Sequence, residues 1–160
     1  FLEHGTSSVG LRPLTVYGVG RDQGMTSGPT KAIKAAVVGR PYTVGFGGRT
    51  DFLYAGDCAD AFIAAYGRGP DGDHVFNLAG ESVAVTAFVD ELCALEPAAR
   101  DLVRVEGGEL PVPGAIDGAR IGEVLTGLPS TSLRDGIAET LRRFRELHAA
   151  GTLDTSDLDS

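Results

Sequence analysis

An apolar, β-prone run at residues 9–16 predicts a buried strand that delivers side chains to a site at its carboxyl end. The apolar positions of this run are Val9, Leu11, Leu14 and Val16. Pro13 interrupts it, and three glycines between residues 18 and 24 then carry the chain into a loop. The downstream elements are interpreted as support for this strand and loop.

Apolar residues at helical spacing predict the helices of the chain. These helices span residues 27–38, 57–66, 86–96, 117–124 and 132–150. Their expected amino-terminal caps are Ser27, Asp57, Thr86, Asp117 and Ser132. The second helix is expected to bury one face, which consists of Ala59, Phe62, Ile63 and Tyr66. The last helix is expected to bury a stripe that consists of Leu133, Ile137, Leu141 and Phe144.

Short β-like runs separate these helices and predict the remaining strands. They lie at residues 42–46, 51–54, 74–78, 82–85 and 103–105. The first two flank Gly47 and Gly48, so they predict either a hairpin or two edge strands. Helices and strands alternate throughout, which indicates an α/β or α+β fold.

The two ends of the chain differ from its centre. Residues 1–8 are interpreted as the end of a helix that stops at Gly5, followed by a loop. Residues 1–149 are expected to form one folded unit. Residues 150–160 follow a predicted helix stop at Gly151, and their small and acidic side chains predict a mobile tail.

Composition and charge narrow the class of partner. The net charge of −8, without a run of Lys and Arg, argues against nucleic acid or an anionic membrane as partner. Cys58 and Cys93 are isolated, which favours reduced thiols and a cytoplasmic setting. No apolar stretch approaches the roughly 20 residues that span a bilayer, and the amino end has no secretory pattern.

The sequence contains no motif for phosphate binding, metal binding or nucleophilic catalysis in the context that such a site requires. Gly67, Gly69 and Gly72 match the spacing GxGxxG, but they follow a predicted helix and precede a strand, whereas a pyrophosphate site needs the opposite order. The scattered histidines, His4, His74 and His148, support no metal site. No nucleophile motif is present. The residues of this chain therefore supply no complete catalytic set.

Two ordered motifs carry a resemblance to a known family. Residues 11–21 read LRPLTVYGVGR and resemble the LRPxxVYGPG segment of the NAD-dependent epimerase/dehydratase family, the extended short-chain dehydrogenases. Residues 47–59 read GGRTDFLYAGDCA and are similar to the RDFxYVxDVA segment of that family. The ending, LTGLP at residues 125–129 and SLRDGI at 132–137, also matches the family order, so the resemblance covers about residues 1 to 149.

The resemblance implies a fold class and an incomplete enzyme. It implies the carboxyl-terminal part of a Rossmann-like doubly wound sheet plus a small α+β substrate-binding lobe. In this family an amino-terminal Gly-rich turn holds NAD or NADP, and a Tyr-x-x-x-Lys pair transfers protons. This chain contains neither motif, so both are expected upstream and the chain is expected to be inactive alone.

The resemblance also implies site residues. Pro13, Leu14 and Val16 match the segment that lies against the nicotinamide, although the same residues also fit a strand end packed in a core. The implied substrate-binding residues are Thr15, Tyr17, Arg21, Thr26, Ser27, Thr30, Arg49 and Thr50. Ser27 and Thr30 fit helix capping equally well. Asp57 is interpreted as a cap rather than a catalytic acid.

One departure from the family pattern bears on the substrate. Nucleotide-sugar members place Arg directly before the Asp-Phe pair, where its guanidinium holds a diphosphate. This chain has Thr50 there and Arg49 one position earlier, which in a strand turns the side chain to the other face.

Three functions follow as hypotheses. The leading one is a sugar epimerase/dehydratase-type oxidoreductase that acts on a sugar or sugar nucleotide, homodimeric when intact. The second is a dehydrogenase of a free sugar or sugar acid. The third is a non-catalytic interaction module with this fold.

Overall fold

The computed structural model describes residues 3–159, which form a mixed α/β structure built around parallel strand pairs. The strands are β1 (Ser8–Pro13), β2 (Thr15–Tyr17), β3 (Tyr42–Val44), β4 (Arg49–Tyr54), β5 (Asp73–Leu78), β6 (Glu81–Ala84) and β7 (Val103–Val105). The α-helices are α1 (Gly28–Val38), α2 (Ala55–Arg68), α3 (Val85–Leu95), α4 (Ala99–Leu102), α5 (Ala119–Val124) and α6 (Leu133–Ala149). A 3₁₀ helix follows at Ser156–Asp159.

The predicted strand at residues 9–16 is two strands that belong to different sheets. β1 pairs in parallel with β5, and Val9 lies opposite His74. β2 pairs in parallel with β4, and Thr15 lies opposite Phe52. Pro13 cannot donate a backbone hydrogen bond, so the first ladder ends there and the chain changes sheet at Leu14.

The hairpin predicted as one alternative for residues 42–54 is wrong, and of the two edge strands predicted as the other alternative only β3 is an edge strand. β3 pairs in parallel with β7, whereas β4 lies between β2, which is parallel to it, and β6, which is antiparallel. At the intervening turn, the Gly47 amide donates a 2.9 Å hydrogen bond to Gly108 O. Both strands therefore find partners that lie far away in the sequence, which local patterns do not encode.

Two hydrophobic clusters cover the sheets. The larger one packs α1, α3 and α6 over β2, β3 and β4, with Ile33, Phe88 and Phe144 almost completely buried. The smaller one packs α2 and α5 against β5 and includes Phe76 and Ile121. Of the site residues predicted from the sequence, Tyr17 belongs to the larger cluster.

The structure confirms the predicted start and buried face of α6. Ser132 Oγ accepts a hydrogen bond from the Asp135 amide at 3.1 Å, which caps the helix. The predicted stripe is buried, and it comprises Leu133, Ile137, Leu141 and Phe144.

The prediction for α2 is wrong at its cap and along its face. Tyr54 occupies the N-cap position and Asp57 lies in the first turn. The side chains predicted to be buried are exposed, with accessible fractions of 51% for Phe62, 68% for Ile63 and 96% for Tyr66. The helix instead packs its alanine face, Ala61 and Ala64, where small side chains allow close approach to the strands.

The caps of three other helices also differ from expectation. Thr86 lies inside α3, whose N-cap is Ala84. Asp117 precedes α5 and its carboxylate accepts from the Ala119 amide at 2.9 Å. Ser27 occupies the N-cap of α1 without capping it, because its hydroxyl donates to Gly24 O at 2.8 Å.

The ends of the described chain contrast with each other. Glu3 and His4 form a turn and Gly5 has a left-handed φ of 66°, while the first two residues of the predicted helix end lie outside the described residues. At the other end the 3₁₀ helix packs on α1 and buries Leu158. The sequence predicted a mobile tail at residues 150–160 and gave no indication of these contacts.

Candidate functional site

Most of the predicted site residues lie where the chain passes from β1 to β2 and on to α1, whereas Arg49 and Thr50 lie on β4. Pro13, Leu14 and Val16 are half-buried at this passage. The loop that follows, residues 18–27, lies against the start of α1. The residues predicted to contact the cofactor and most of those predicted to bind substrate therefore belong to one continuous segment, residues 13–30.

Thr15 and Thr50 satisfy each other inside the core. Their side-chain oxygens lie 2.8 Å apart across the β2–β4 pair, and their accessible fractions are 0% and 2%. Since each hydroxyl carries one proton, one donates and the other accepts. In this structure the pair holds the two strands together, and a ligand would meet it only through the neighbouring residues.

Replacing Thr50 with valine is expected to lower the free energy of unfolding by about 1–2 kcal/mol, because Thr15 loses its buried partner. The double variant Thr15→Val, Thr50→Val is expected to recover most of that loss, since no unpaired hydroxyl remains. Urea unfolding of the two single variants and the double variant measures the coupling. Strictly additive losses would contradict a paired hydrogen bond.

Tyr17 is a structural residue in this chain. It is 1% exposed, and its hydroxyl donates to Leu133 O at 3.3 Å. Burial raises the pKa of the Tyr17 phenol, and the carboxylates of Asp57 and Glu81 raise it further. The phenol is therefore protonated at neutral pH, and it fixes the start of α6 against β2.

Side chains within the loop hold residues 18–27 on α1. The buried Thr30 hydroxyl accepts a 3.1 Å hydrogen bond from the Gly18 amide. Arg21 Nη2 donates to Thr26 Oγ1 at 3.2 Å, and both side chains are half-buried. Among the predicted substrate residues of this region, Arg21 and Thr26 are the two that keep accessible surface, because Ser27 and Thr30 are buried.

A cavity of about 320 Å³ opens beside this loop. Ser27, Gly28 and Lys31 of α1 line one wall, and Tyr42 and Thr43 of β3 line the other. Sequence reasoning identified only Ser27 among these residues. The others carry no local motif, because the cavity forms only when β3 is placed beside the start of α1.

Arg49 points away from Thr50. Its side chain is exposed, and Nη1 donates to Ser82 O at 2.7 Å. Successive side chains of a strand lie on opposite faces, so the guanidinium lies on the face opposite the Thr15–Thr50 pair. The one-residue shift seen in the sequence therefore has a structural counterpart.

A second cavity, of about 470 Å³, lies at the carboxyl end of β5 and was not predicted. Asp57 and Glu81 face it, and backbone donors satisfy both carboxylates. Asp57 accepts from the Thr131 amide at 2.6 Å, and Glu81 accepts from the Leu133 amide at 3.0 Å. These bonds make the two acids anchors for the segment that leads into α6.

Other chemistries have no support within residues 3–159. These residues contain no cluster of three His, Cys, Asp or Glu side chains that could hold a metal ion. Burial raises the pKa of the Cys58 and Cys93 thiols, which disfavours the nucleophilic thiolate. None of the helices in this part of the chain is long and apolar enough to cross a membrane.

The GxGxxG match at residues 67–72 lacks the structural context of a pyrophosphate site. Gly67, Gly69 and Gly72 connect the end of α2 to β5, and the Gly69 amide is used by Ala65 O at 2.9 Å. A pyrophosphate turn needs free amides at the start of a helix, so these glycines do not form one.

Comparison with known proteins confirms the family resemblance. Residues 2–79 match the NAD dependent epimerase/dehydratase family. No curated protein sequence matches the chain significantly.

Solved structures confirm the Rossmann-like α/β fold. The chain is 25% identical to MoeE5 in complex with UDP-glucose and NAD, over 88% of this chain and 48% of that chain, with a TM-score of 0.72. It is 25% identical to a variant of UDP-glucuronic acid 4-epimerase from Bacillus cereus, over 87% of this chain and 45% of that chain, with a TM-score of 0.64. dTDP-glucose 4,6-dehydratase from Bacillus anthracis shares the fold at 16% identity, over 88% of this chain and 45% of that chain, with a TM-score of 0.71. The chain thus spans about half the length of these structures.

Proposed function

We propose that this chain, whose residues 2–79 match the NAD dependent epimerase/dehydratase family, is the substrate-side half of an NAD(P)-dependent, sugar-modifying oxidoreductase. The observation that carries the proposal is the sheet change at Leu14. The half-buried residues Pro13, Leu14 and Val16 at this change precede a loop with accessible polar side chains, and the end of that loop lines a cavity.

The cofactor-side role falls to the passage between β1 and β2. Pro13, Leu14 and Val16 are proposed to lie against the nicotinamide of NAD or NADP, which supplies the hydride acceptor and donor when it is bound. Pro13 favours this role because its ring fixes the backbone and removes one amide donor. The apolar surface of the passage excludes water from one face of such a ring.

The substrate-side role falls to the loop and the cavity. The Arg21 guanidinium and the Thr26 hydroxyl are accessible donors that suit a polyhydroxylated ligand. Thr15, Tyr17, Thr30 and Thr50 are proposed to act indirectly, since their buried hydrogen bonds set the position of the strands and of the loop.

The other half of the site is proposed to lie upstream of Phe1. Among the described strands, β1 pairs with β5 alone, so one parallel edge of β1 has no neighbour. We propose that a preceding sheet adds to this edge and carries the Gly-rich turn and the Tyr-x-x-x-Lys pair. The intact enzyme is proposed to be cytoplasmic and homodimeric.

A dehydrogenase of a free sugar or sugar acid is the second candidate. It is favoured by Arg49, which donates to Ser82 O, and by Thr50, whose hydroxyl is paired with Thr15 in the core. Neither side chain offers a guanidinium at the position where nucleotide-sugar members of the family hold the diphosphate. A substrate without a diphosphate needs no guanidinium at this position.

One experiment tests both candidates. The chain is produced together with the residues encoded upstream of Phe1, and NAD binding is measured by calorimetry. Binding is expected for the combined protein and not for residues 1–160 alone. A combined protein that binds neither NAD nor NADP would refute the enzyme function and favour an interaction module.

The same preparation distinguishes the reactions by absorbance at the NADH band. An epimerase or dehydratase returns the hydride, so no reduced cofactor accumulates with a nucleotide sugar. A dehydrogenase accumulates NADH with free sugar acids. Steady NADH formation from free sugar acids would therefore overturn the epimerase/dehydratase proposal in favour of the second candidate.

A further inference from the structure

The side chain of Lys34 joins three segments that lie far apart in the sequence. It projects from α1 with 2% of its side chain exposed. Its Nζ lies 3.0 Å from Asp22 Oδ1 in the loop at residues 18–27. The same Nζ lies 2.9 Å from Asp157 Oδ1 in the 3₁₀ helix. The Phe144 ring of α6 lies 5.6 Å from this ammonium.

The charges in this cluster depend on one another. Burial alone lowers the pKa of Lys34, but hydrogen bonding and charge from Asp157 and Asp22 outweigh it and raise the pKa above its ordinary value. Asp22 Oδ1 is buried and receives no well-aligned hydrogen bond within the described residues. The charge of Asp22 is compensated by the Lys34 ammonium, which lies 3.0 Å from this oxygen. Removing Lys34 would deprive both acids of the ammonium that they share, whereas removing the charge of Asp157 leaves Lys34 paired with Asp22 and frees the 3₁₀ helix from the cluster.

The 3₁₀ helix is anchored to α1 at more than this point. Leu158 is 8% exposed against the helix, and Asp159 pairs with Arg40 just beyond the end of α1. Asp159 is 69% exposed and lies away from the loop pairing, whereas Asp157 is 15% exposed and shares Lys34 with it. The two acids of one short helix thus offer a matched comparison.

We propose that residues 152–159 form a strap that positions the substrate loop, residues 18–27, through the Asp157–Lys34–Asp22 cluster. Lys34 and Asp157 are positioning residues: they touch no substrate, and they act by holding the loop that carries Arg21 and Thr26. The role of this loop in substrate binding rests on the proposed function, whereas the mechanical link between strap and loop does not.

The strap predicts a local change when its charge is removed. In Asp157→Asn the 3₁₀ helix loses its charged contact with Lys34, so the ammonium is held from the loop side alone and the loop is expected to open more often. Hydrogen exchange of residues 18–27, measured by mass spectrometry on the full chain, is expected to rise about tenfold, while exchange in α2 stays unchanged. Asp157→Glu is expected to restore most of the protection.

Asp159→Asn is the matched control, because it removes an exposed charge from the same strap without touching Lys34. Unchanged exchange of the loop in Asp157→Asn would overturn the proposal. So would an equal rise in Asp157→Asn and Asp159→Asn, or a rise shared by α2, since each would reflect general loosening. A chain that ends at Gly151 provides an independent test and is expected to expose the loop at least as strongly as Asp157→Asn.

The outcome is separable from that of the proposed function. Loss of loop protection together with absent NAD binding in the combined protein would retain the strap and reject the enzyme. NAD binding by the combined protein, together with unchanged hydrogen exchange of residues 18–27 in Asp157→Asn, would support the enzyme and reject the strap.

Discussion

Replacing Gly80, in the turn between β5 and β6, with alanine is expected to lower the free energy of unfolding by about 3 kcal/mol or more. A Cβ at this position would lie 1.9 Å from Phe52 O and 2.5 Å from Phe52 C. These are backbone atoms of the central strand β4, so a rotamer change cannot relieve the contact. Urea unfolding followed by circular dichroism measures the loss.

The close approach of Gly80 to β4 also allows the Gly80 amide to bind a side chain of that strand. The Gly80 amide donates to Asp51 Oδ1 at 2.6 Å, and Asp51 is 2% exposed. Burial raises the pKa of this carboxyl, and the Gly80 amide opposes that rise by favouring the charged form. A shifted residue 80 therefore also weakens the support of a buried acid.

Gly67→Ala is the matched control for Gly80→Ala. Gly67 lies in α2 and no atom approaches its added Cβ within 4 Å. Alanine is the better helix former, so this variant is expected to gain roughly 0.5–1 kcal/mol. Equal unfolding midpoints for Gly80→Ala and the unsubstituted chain would show that residue 80 does not approach β4 this closely.

Replacing Asp57 with alanine is expected to lower the free energy of unfolding by about 2–3 kcal/mol. Its two carboxylate oxygens accept from the Thr131 amide at 2.6 Å and from the Thr131 hydroxyl at 2.7 Å. Both donors lose a charged partner in a region where Asp57 is 8% exposed. Thermal and urea unfolding, compared at one pH, measure the effect.

Asp60→Ala is the control that distinguishes loss of the Asp57–Thr131 contact from the general effect of removing an acidic residue from α2. Asp60 lies one turn further along α2 and is exposed, so its removal is expected to change stability by less than about 0.5 kcal/mol. If the two alanine variants unfolded alike, the contact with Thr131 would not anchor the segment before α6. Asp57→Asn is expected to fall between them, because an amide keeps one acceptor but loses the charge.

The sequence was informative wherever a local rule decided the structure. Ser132 caps α6 because its hydroxyl needs only an amide three positions away, and that partner is always within reach. Gly39 ends α1 in a left-handed conformation for a similarly local reason. The apolar stripe of α6 follows from helical spacing alone.

Local rules failed where distant partners competed. Asp57 has the residue type of a cap, but Thr131 offers it two donors from a segment 74 positions away. The apolar stripe of α2 has helical spacing, yet the small face containing Ala61 packs inward. Pairing of β3 with β7 likewise depends on the closure of a long segment.

The candidate site was predicted by resemblance more than by residue chemistry. Motifs drew attention to the residues around Leu14 and to the loop after them, and the end of that loop lines a cavity that no motif indicated. They could not reveal that Thr15 and Thr50 bind each other, because a hydroxyl pair depends on side-chain direction across two strands. Lys34 gave no signal, since its partners lie in two separate segments.

The parallel pairing of β1 with β5 also bears on how the chain folds. Ser8 and Asp73, hydrogen-bonded at the start of this pair, are separated by 65 positions, so the ladder closes a long loop. Closure of such a loop carries a large entropic cost that is repaid only after contacts form, which slows folding. β2 leaves the same passage for another sheet, so the Leu14 crossing becomes ordered only when both distant pairings are complete. The proposed binding surface is therefore expected to form late in folding, after helices such as α6, whose backbone hydrogen bonds are local.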